Sequence, residues 1–535
     1  MEPSSQSDRT SHGAGPGGQP EGPQPPGPQP PGARTPGAQS PGVPRQGRHR
    51  RGARRPSTHR ITEVLDEAEV GRRHWLTVLT AGMGFFTDAY DLFIVGTVTV
   101  ILTPIFHLST SQISLLNSAS LLASVAGAVS FGPLMDRLGR KRMYGTEVAI
   151  LVLGALASGL AWNFASLLVF RLVVGFGIGG DYATSAVITA EYANRRSRGR
   201  LVGSVFALQG LGLVAGPAIA SAFLAGGVSA GLTWRVLLAL GALPAASVVW
   251  LRRKIQETPR FSLDVQGDEA AAALATAWVT GQQPVVTGTP ADPVRPATGA
   301  ARRADRPRLG RSPFLLRLIG AAGTWFLMDV AFYGNSVSSP LILARLEPHA
   351  SLLHHTLTSL AIFLVAALPG YWAAIALLDR LGRRWIQVQG FGVMALCFGL
   401  IWLVPAVTAA TGAFLALFAL SYFFVEFGPN QTTFVYPAEI FPTAVRGTAD
   451  GIAAAAGKLG AFAGALLVPH LLVWVGLRGV MGVMAGASLV GALLTVVALP
   501  EPRGRSLDEL GGGPLDPGDP EVLEERTPAD VLSVG

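Results

Sequence analysis

Apolar residues in this chain neither alternate nor form a single stripe; they come in long blocks. From Trp75 onward twelve blocks each reach the roughly 20 residues that a helix needs to cross a bilayer. They lie near 75–102, 112–134, 143–162, 165–190, 201–225 and 232–251, and again near 313–344, 353–378, 385–404, 409–436, 445–474 and 476–498. The pattern predicts an all-α membrane protein with twelve transmembrane helices. Residues 253–312 are rich in Ala, Pro, Gly, Asp and Arg without an apolar period, which predicts a linker, partly disordered. Residues 1–58 are mostly Pro, Gly, Gln, Ser and Arg and cannot bury a core, so disorder is expected there. No long apolar region opens the chain, which argues against a signal peptide. The expected units are therefore a tail at 1–58, helical bundles at 59–252 and 313–500 around the linker at 253–312, and a second tail at 501–535.

Charge orients these blocks. Arg137, Arg140, Lys141 and Arg142 follow span two, Arg195, Arg196 and Arg198 follow span four, Arg252, Arg253 and Lys254 follow span six, and Arg380, Arg383 and Arg384 follow span eight. The loops after spans one, three and five carry no charge, so both termini are expected in the cytoplasm. A formal charge of +8 could point to nucleic acid, but its arginines sit in a tail and in short loops, and no nucleic-acid partner is expected. With one cysteine, Cys397, the chain can form no intrachain disulfide and no Cys-based metal site.

The two halves repeat. GPLMDRLGRKRM at 132–143 recurs as ALLDRLGRRW at 376–385, and Glu191 with Arg198-Gly199 recurs as Glu439 with Arg446-Gly447, at nearly the same offset. That is the mark of a duplicated six-span unit. The chain resembles the major facilitator superfamily across its whole membrane region, DRLGRK between spans two and three being that superfamily's hallmark loop. Asp136 and Asp379 are placed to meet arginines and helix N-termini. With Arg140, Glu191, Arg198, Arg383, Glu439 and Arg446, they form a candidate gate.

Polar residues inside the blocks supply the candidate chemistry, because a charge at mid-bilayer is costly enough to need a cavity or a partner. Asp181 lies in a glycine-rich run at 171–199. Asp88 and Asp91 lie three apart on one face of span one, where two like charges favour holding a proton. Trp325, Asp329 and Tyr333 make one stripe down span seven. Gln209 is in span five, Asn430 in span ten, and Lys458 in span eleven is one of three lysines among 42 basic residues, which suggests that a compact, titratable cation matters there. Glu426 has no assigned direction, and Gln431, Thr432 and Thr433 read equally well as helix-packing groups. The donors Tyr182, Gln209, Trp325, Tyr333, Asn430 and Lys458 around few carboxylates suit a tetrahedral oxyanion that still carries hydroxyl protons.

FFTDAYDLF, GGDY, EYANRRSRG, W-x-x-x-D-x-x-x-Y and FGPNxTTF together resemble the phosphate:proton symporter branch of the superfamily. The resemblance implies inorganic phosphate bound through Tyr182, Gln209, Trp325, Asp329, Tyr333 and Asn430, and protons carried through Asp88, Asp91 and Asp181 with Lys458 involved. It implies a monomer in the lipid bilayer of a plasma or inner membrane, with no cofactor and no metal. The chain departs from the family where Ala183-Thr184-Ser185 stands in place of Pro-Leu-Ser, which bears on helix bending after Tyr182. Alternatives that keep the fold are a proton symporter for a sugar or an organic acid or ion, and QETPRF (256–261) and LPEPRGRSLDEL (499–510) resemble sugar-porter signatures that the phosphate branch shares. A non-transporting nutrient receptor is the alternative of another class. No nucleophile, base and orienting group occur at catalytic spacing, which argues against an enzyme.

Overall fold

The computed structural model describes residues 56–510 apart from 227, 283, 285–308, 311, 338 and 351, so the expectations for nearly all of the outer tails and for the linker at 285–308 lie outside the described residues. All regular structure among the described residues is helical. Spans one to five are Arg72–Phe106, Thr110–Leu138, Arg140–Gly159, Phe164–Tyr192 and Arg198–Ala225. Span six runs through Ala230–Leu240 and Ala242–Lys254, and span seven is Phe314–Val337. Span eight passes from Leu352–Ile362 through a π turn at Phe363–Ala367 into Leu368–Leu381, and span nine is Arg383–Leu403. Span ten breaks between Thr411–Glu426 and Pro429–Ile440, and spans eleven and twelve are Thr443–Trp474 and Gly476–Ala498. By length and composition 11 helices among the described residues can cross a membrane. Span three, which opens on Arg140, Lys141 and Arg142 and carries Glu147, completes the twelve.

Local chemistry sets the boundaries. Ser109 accepts from Gln112 N at 3.3 Å while Gln112 Oε1 accepts from Ser109 N at 2.9 Å, a capping box that opens span two. Asn163 caps span four by accepting from Ser166 N at 2.8 Å. The repeated DRLGR loop turns at Gly139 and Gly382, with φ of 100° and 92°, values that a side chain would resist. Two further helices, Pro56–Glu67 and Glu269–Thr280, fall within or at the edge of the stretches expected to be tail and linker. They are too short to reveal themselves by hydrophobic blocks, and their Ile61 and Ala272 are buried together with Leu263 of the turn at Ser262–Gln266.

The halves meet closely along spans two and eleven. A Cβ on Gly132 would run into the carbonyl oxygen of Gly447, and one on Gly451 into that of Ala128, so glycine is what lets these backbones touch. Replacing Gly132 by Leu is expected to lower the thermal unfolding midpoint of the detergent-solubilised protein, by an overpacking cost of about 1–3 kcal/mol. Gly145→Leu, placed where no heavy atom lies within 4 Å, should leave it near wild type. Equal midpoints for the two variants would refute the close-packing account.

Candidate functional site

At the centre, between the halves, Lys458 Nζ lies 3.7 Å from the centroid of the Tyr182 ring, donates to Tyr333 Oη at 3.2 Å and stands 3.9 Å from Asp329 Oδ2. Tyr182 Oη donates to Gln209 Oε1 at 3.2 Å, and the Tyr182 and Trp325 rings lie 6.2 Å apart. Phe85, Phe206 and Phe434 close round Tyr182, with ring centroids at 4.6, 6.3 and 6.4 Å. Five of the six residues expected to bind substrate, together with Lys458, therefore form one buried cluster drawn from spans four, five, seven and eleven. Asn430 is turned to other partners. It donates to Glu426 at 2.5 Å and to Tyr371 Oη at 3.1 Å, and it is Phe434, a turn further along span ten, that packs on Trp325. Glu426, whose direction sequence left open, thus points inward.

The carboxylates expected to carry protons fall into distinct environments. Asp88 is buried and neither of its oxygens has a hydrogen-bond partner. Asp91, one turn on, is held by both nitrogens of the Arg171 guanidinium at 2.5 and 2.6 Å. Asp91 is therefore paired, whereas Asp88 meets no donor. Asp181 Oδ1 accepts from Arg252 Nη1 and from Ser185 Oγ, both at 2.9 Å. Arg252 Nη1 also reaches Glu147 Oε1 at 2.8 Å, and its guanidinium lies 4.2 Å over the Tyr144 ring. Two carboxylates thus share one guanidinium, and each keeps one oxygen, Asp181 Oδ2 and Glu147 Oε2, without a partner. Both bonds to Arg252 use one oxygen of each carboxylate and leave the other oxygen open. Thr184 continues the helix of span four and donates to Glu147 Oε1 at 3.3 Å and to Gly180 O at 3.0 Å. The departure from Pro-Leu-Ser therefore adds a donor beside this group.

The arginine-rich end carries a duplicated network. Asp136 accepts from the amides of Gly447 and Thr448 at 3.1 and 2.7 Å, and Asp379 from those of Gly199 and Arg200 at 3.1 and 2.8 Å. Arg140 binds Glu191 at 3.0 and 3.1 Å while Arg446 approaches the same carboxylate at 2.9 Å. In the other half, Arg383 binds Glu439 at 2.8 and 3.0 Å and Arg198 reaches it at 3.0 Å. The eight candidate gate residues thus fall into two matching networks, each half's aspartate accepting from backbone amides near the start of a helix of the other. Glu257 accepts from the amides of Arg140 and Lys141, and Glu501 from those of Arg383 and Arg384. Burial pushes the Glu257 carboxyl above its ordinary value, against those amide donors.

The model of the sugar (and other) transporter family matches residues 76–511. The chain belongs to that family. The transporter is 33% identical to low affinity inorganic phosphate transporter 8 of Medicago truncatula over 89% of its own length and 98% of that protein's. It is 34% identical to inorganic phosphate transporter 1-6 of Oryza sativa subsp. japonica over 88% and 97% of the two chains. Among solved structures it resembles the proton:xylose symporter XylE of the major facilitator superfamily bound to 6-bromo-6-deoxy-D-glucose, with a TM-score of 0.73 at 20% identity, covering 83% of this chain and 99% of that one. The transporter has the twelve-helix, two-bundle fold of that superfamily.

Sequence reasoning did not single out Arg252, Glu147 and Arg171. Arg252 closes span six and reads as a loop charge. Glu147 had a usable signal, a carboxylate within an apolar block, and Arg171 opens the run that contains Asp181. Replacing Arg252 by Ala strands two buried carboxylates and should destabilise the protein by about 3–5 kcal/mol, read as a lowered unfolding midpoint. Adding Glu147→Gln to that variant should restore part of the loss. A single variant as stable as wild type would mean that the trio does not exist as described.

Proposed function

We propose that this transporter imports inorganic phosphate together with protons by alternating access, the two bundles rocking about the central cluster. The observation that carries the reading is the Tyr182–Gln209–Lys458–Tyr333–Trp325 cluster, a donor-rich, aromatic site with a single carboxylate, Asp329, at its edge. Lysine supplies a compact positive charge for an oxyanion, and hydroxyl, amide and indole groups can complete its shell. Asp329 can accept from a phosphate hydroxyl, which sulfate does not offer. The reading is further supported by the relatives named as inorganic phosphate transporters. Asn430 joins the site in this reading once it exchanges Glu426 for substrate.

Protons enter through Asp88 and the Asp181–Glu147–Arg252 trio, while Arg171 holds Asp91 in a two-nitrogen pair. Neutralising the trio lets an anion approach the cluster, and proton release on the far side repels it. In this reading the duplicated network, both termini and the linker lie on the cytoplasmic side of a plasma or inner membrane, which the arginine-rich loops support by the positive-inside rule. The protein works as a monomer, each chain carrying a whole site.

Purified protein in liposomes with an inward proton gradient should accumulate labelled phosphate, with collapse by an uncoupler and no competition from sulfate or glucose. Competition by glucose alone would move the substrate to a sugar. Asp181→Asn should abolish gradient-driven uptake while leaving the folded protein intact; unchanged uptake removes Asp181 from the coupling path. Lys458→Gln should raise the KM for phosphate at least about tenfold, since a charge-assisted bond to the anion contributes about 1.5–3 kcal/mol. An unaltered KM would place the anion elsewhere.

A further inference from the structure

Asp450, on span eleven, is a buried acid that none of these roles uses. It is 0% exposed, and neither carboxylate oxygen has a hydrogen-bond partner. The charged groups that act on it are Asp136 of span two and Arg446, one turn earlier on its own helix. Both are engaged elsewhere. Asp136 accepts from Gly447 N, Thr448 N and Thr448 Oγ1 and lies 3.4 Å from Arg140. Arg446 gives Nη1 to Glu191 of span four at 2.9 Å and Nε to Phe441 O at 3.1 Å, which leaves its Nη2 buried without a partner. Toward the same half of span eleven, Arg317 of span seven donates to Ile440 O and Leu510 O, and Arg260 pairs with Asp66 and Asp508. None of these groups is hydrogen-bonded to Asp450.

An ionised carboxylate sealed beside another aspartate with no donor is strongly disfavoured. A counter-ion is nonetheless one helical turn away, at the spacing where side chains meet, and it is held off by its bond to Phe441 O and by one to Glu191 that crosses between the halves. We propose that Asp450 is a proton-exchange site built into the cytoplasmic gate, protonated while Arg446 is bound to Glu191 and deprotonated when the gate opens and Arg446 turns to it. Opening separates span four from span eleven, breaks the Glu191–Arg446 pair and admits water. The Asp450 proton leaves to the cytoplasm and the carboxylate takes the freed guanidinium. On closing, Arg446 returns to Glu191 and Asp450 takes a proton from the cytoplasmic side. Cytoplasmic acid therefore holds the gate shut, apart from any titration of the central site. The inference rests on the proton-coupled reading above.

The test compares wild type with Asp450→Asn and Asp450→Glu, each first shown to unfold cooperatively, in liposomes at equal internal and external pH. Phosphate counterflow by wild type should slow as the pH is lowered. Asp450→Asn, a fixed mimic of the protonated acid, should be about tenfold slower at neutral pH and lose that limb of the profile, the rate following gate opening. Asp450→Glu should keep it. Infrared spectra of the substrate-free proteins should carry the C=O stretch of a protonated buried carboxyl that is missing from Asp450→Asn. A wild-type pH profile in Asp450→Asn, or an unchanged carboxyl band, overturns the inference. If wild type takes up phosphate without any proton dependence, the coupled reading fails first. The carboxyl band then still decides whether Asp450 holds a proton.

Discussion

A charge placed among hydrocarbon and packed side chains must find a counter-charge or shed itself, and the arrangement of this transporter follows from that demand. Arg171 of span four answers Asp91 of span one, and Arg252 of span six answers both Asp181 of span four and Glu147 of span three. Each pairing ties helices distant in sequence, so burial of the charges and assembly of the bundle are one event. The exceptions are as informative as the rule. Asp88, Asp450 and single oxygens of Asp181, Glu147 and Asp329 remain without hydrogen-bond partners. Such atoms are the ones the proposed mechanism uses for protons and substrate.

The same demand, met twice, explains the arginine-rich end. Asp136 and Asp379, Arg140 and Arg383, Glu191 and Glu439, Arg446 and Arg198, Glu257 and Glu501 fill matching places in the two halves. Buried ion pairs add little net stability compared with apolar packing, because desolvation offsets most of their attraction. In the proposed alternating-access cycle they would supply reversibility: each partner is well solvated once the halves part, so closed and open ends can lie close in free energy. A purely apolar seam would lack that property, since opening it would expose hydrocarbon to water. The glycines along spans two and eleven add the geometric half of the device, by bringing an aspartate within reach of the opposing amides.

Much of this was legible before any coordinate. Block lengths marked the spans, and repeated motifs the duplication. The rule that charge inside an apolar block needs a reason pointed to Asp88, Asp181, Asp329 and Lys458. Partners were harder. Arg252 counts as a loop residue by its position after an apolar block, yet it turns back into the bundle to reach Asp181. Asp88 and Asp91 share a helical face by spacing, but only the packing of span four against span one separates their environments. Asn430 belongs to the expected donor set by motif, although in this arrangement its amide is spent on Glu426 and Tyr371.

The sequence by itself determined what crosses the bilayer, how the halves repeat and which residue types lie at membrane depth, because the bilayer imposes length, hydropathy and charge rules that act locally along the chain. Which of those residues are neutralised, which are left bare and which converge on one site was decided only in three dimensions. Coulomb attraction and hydrogen bonding act between atoms a few ångströms apart, and helices separated by many tens of residues reach that distance only when the whole bundle has packed.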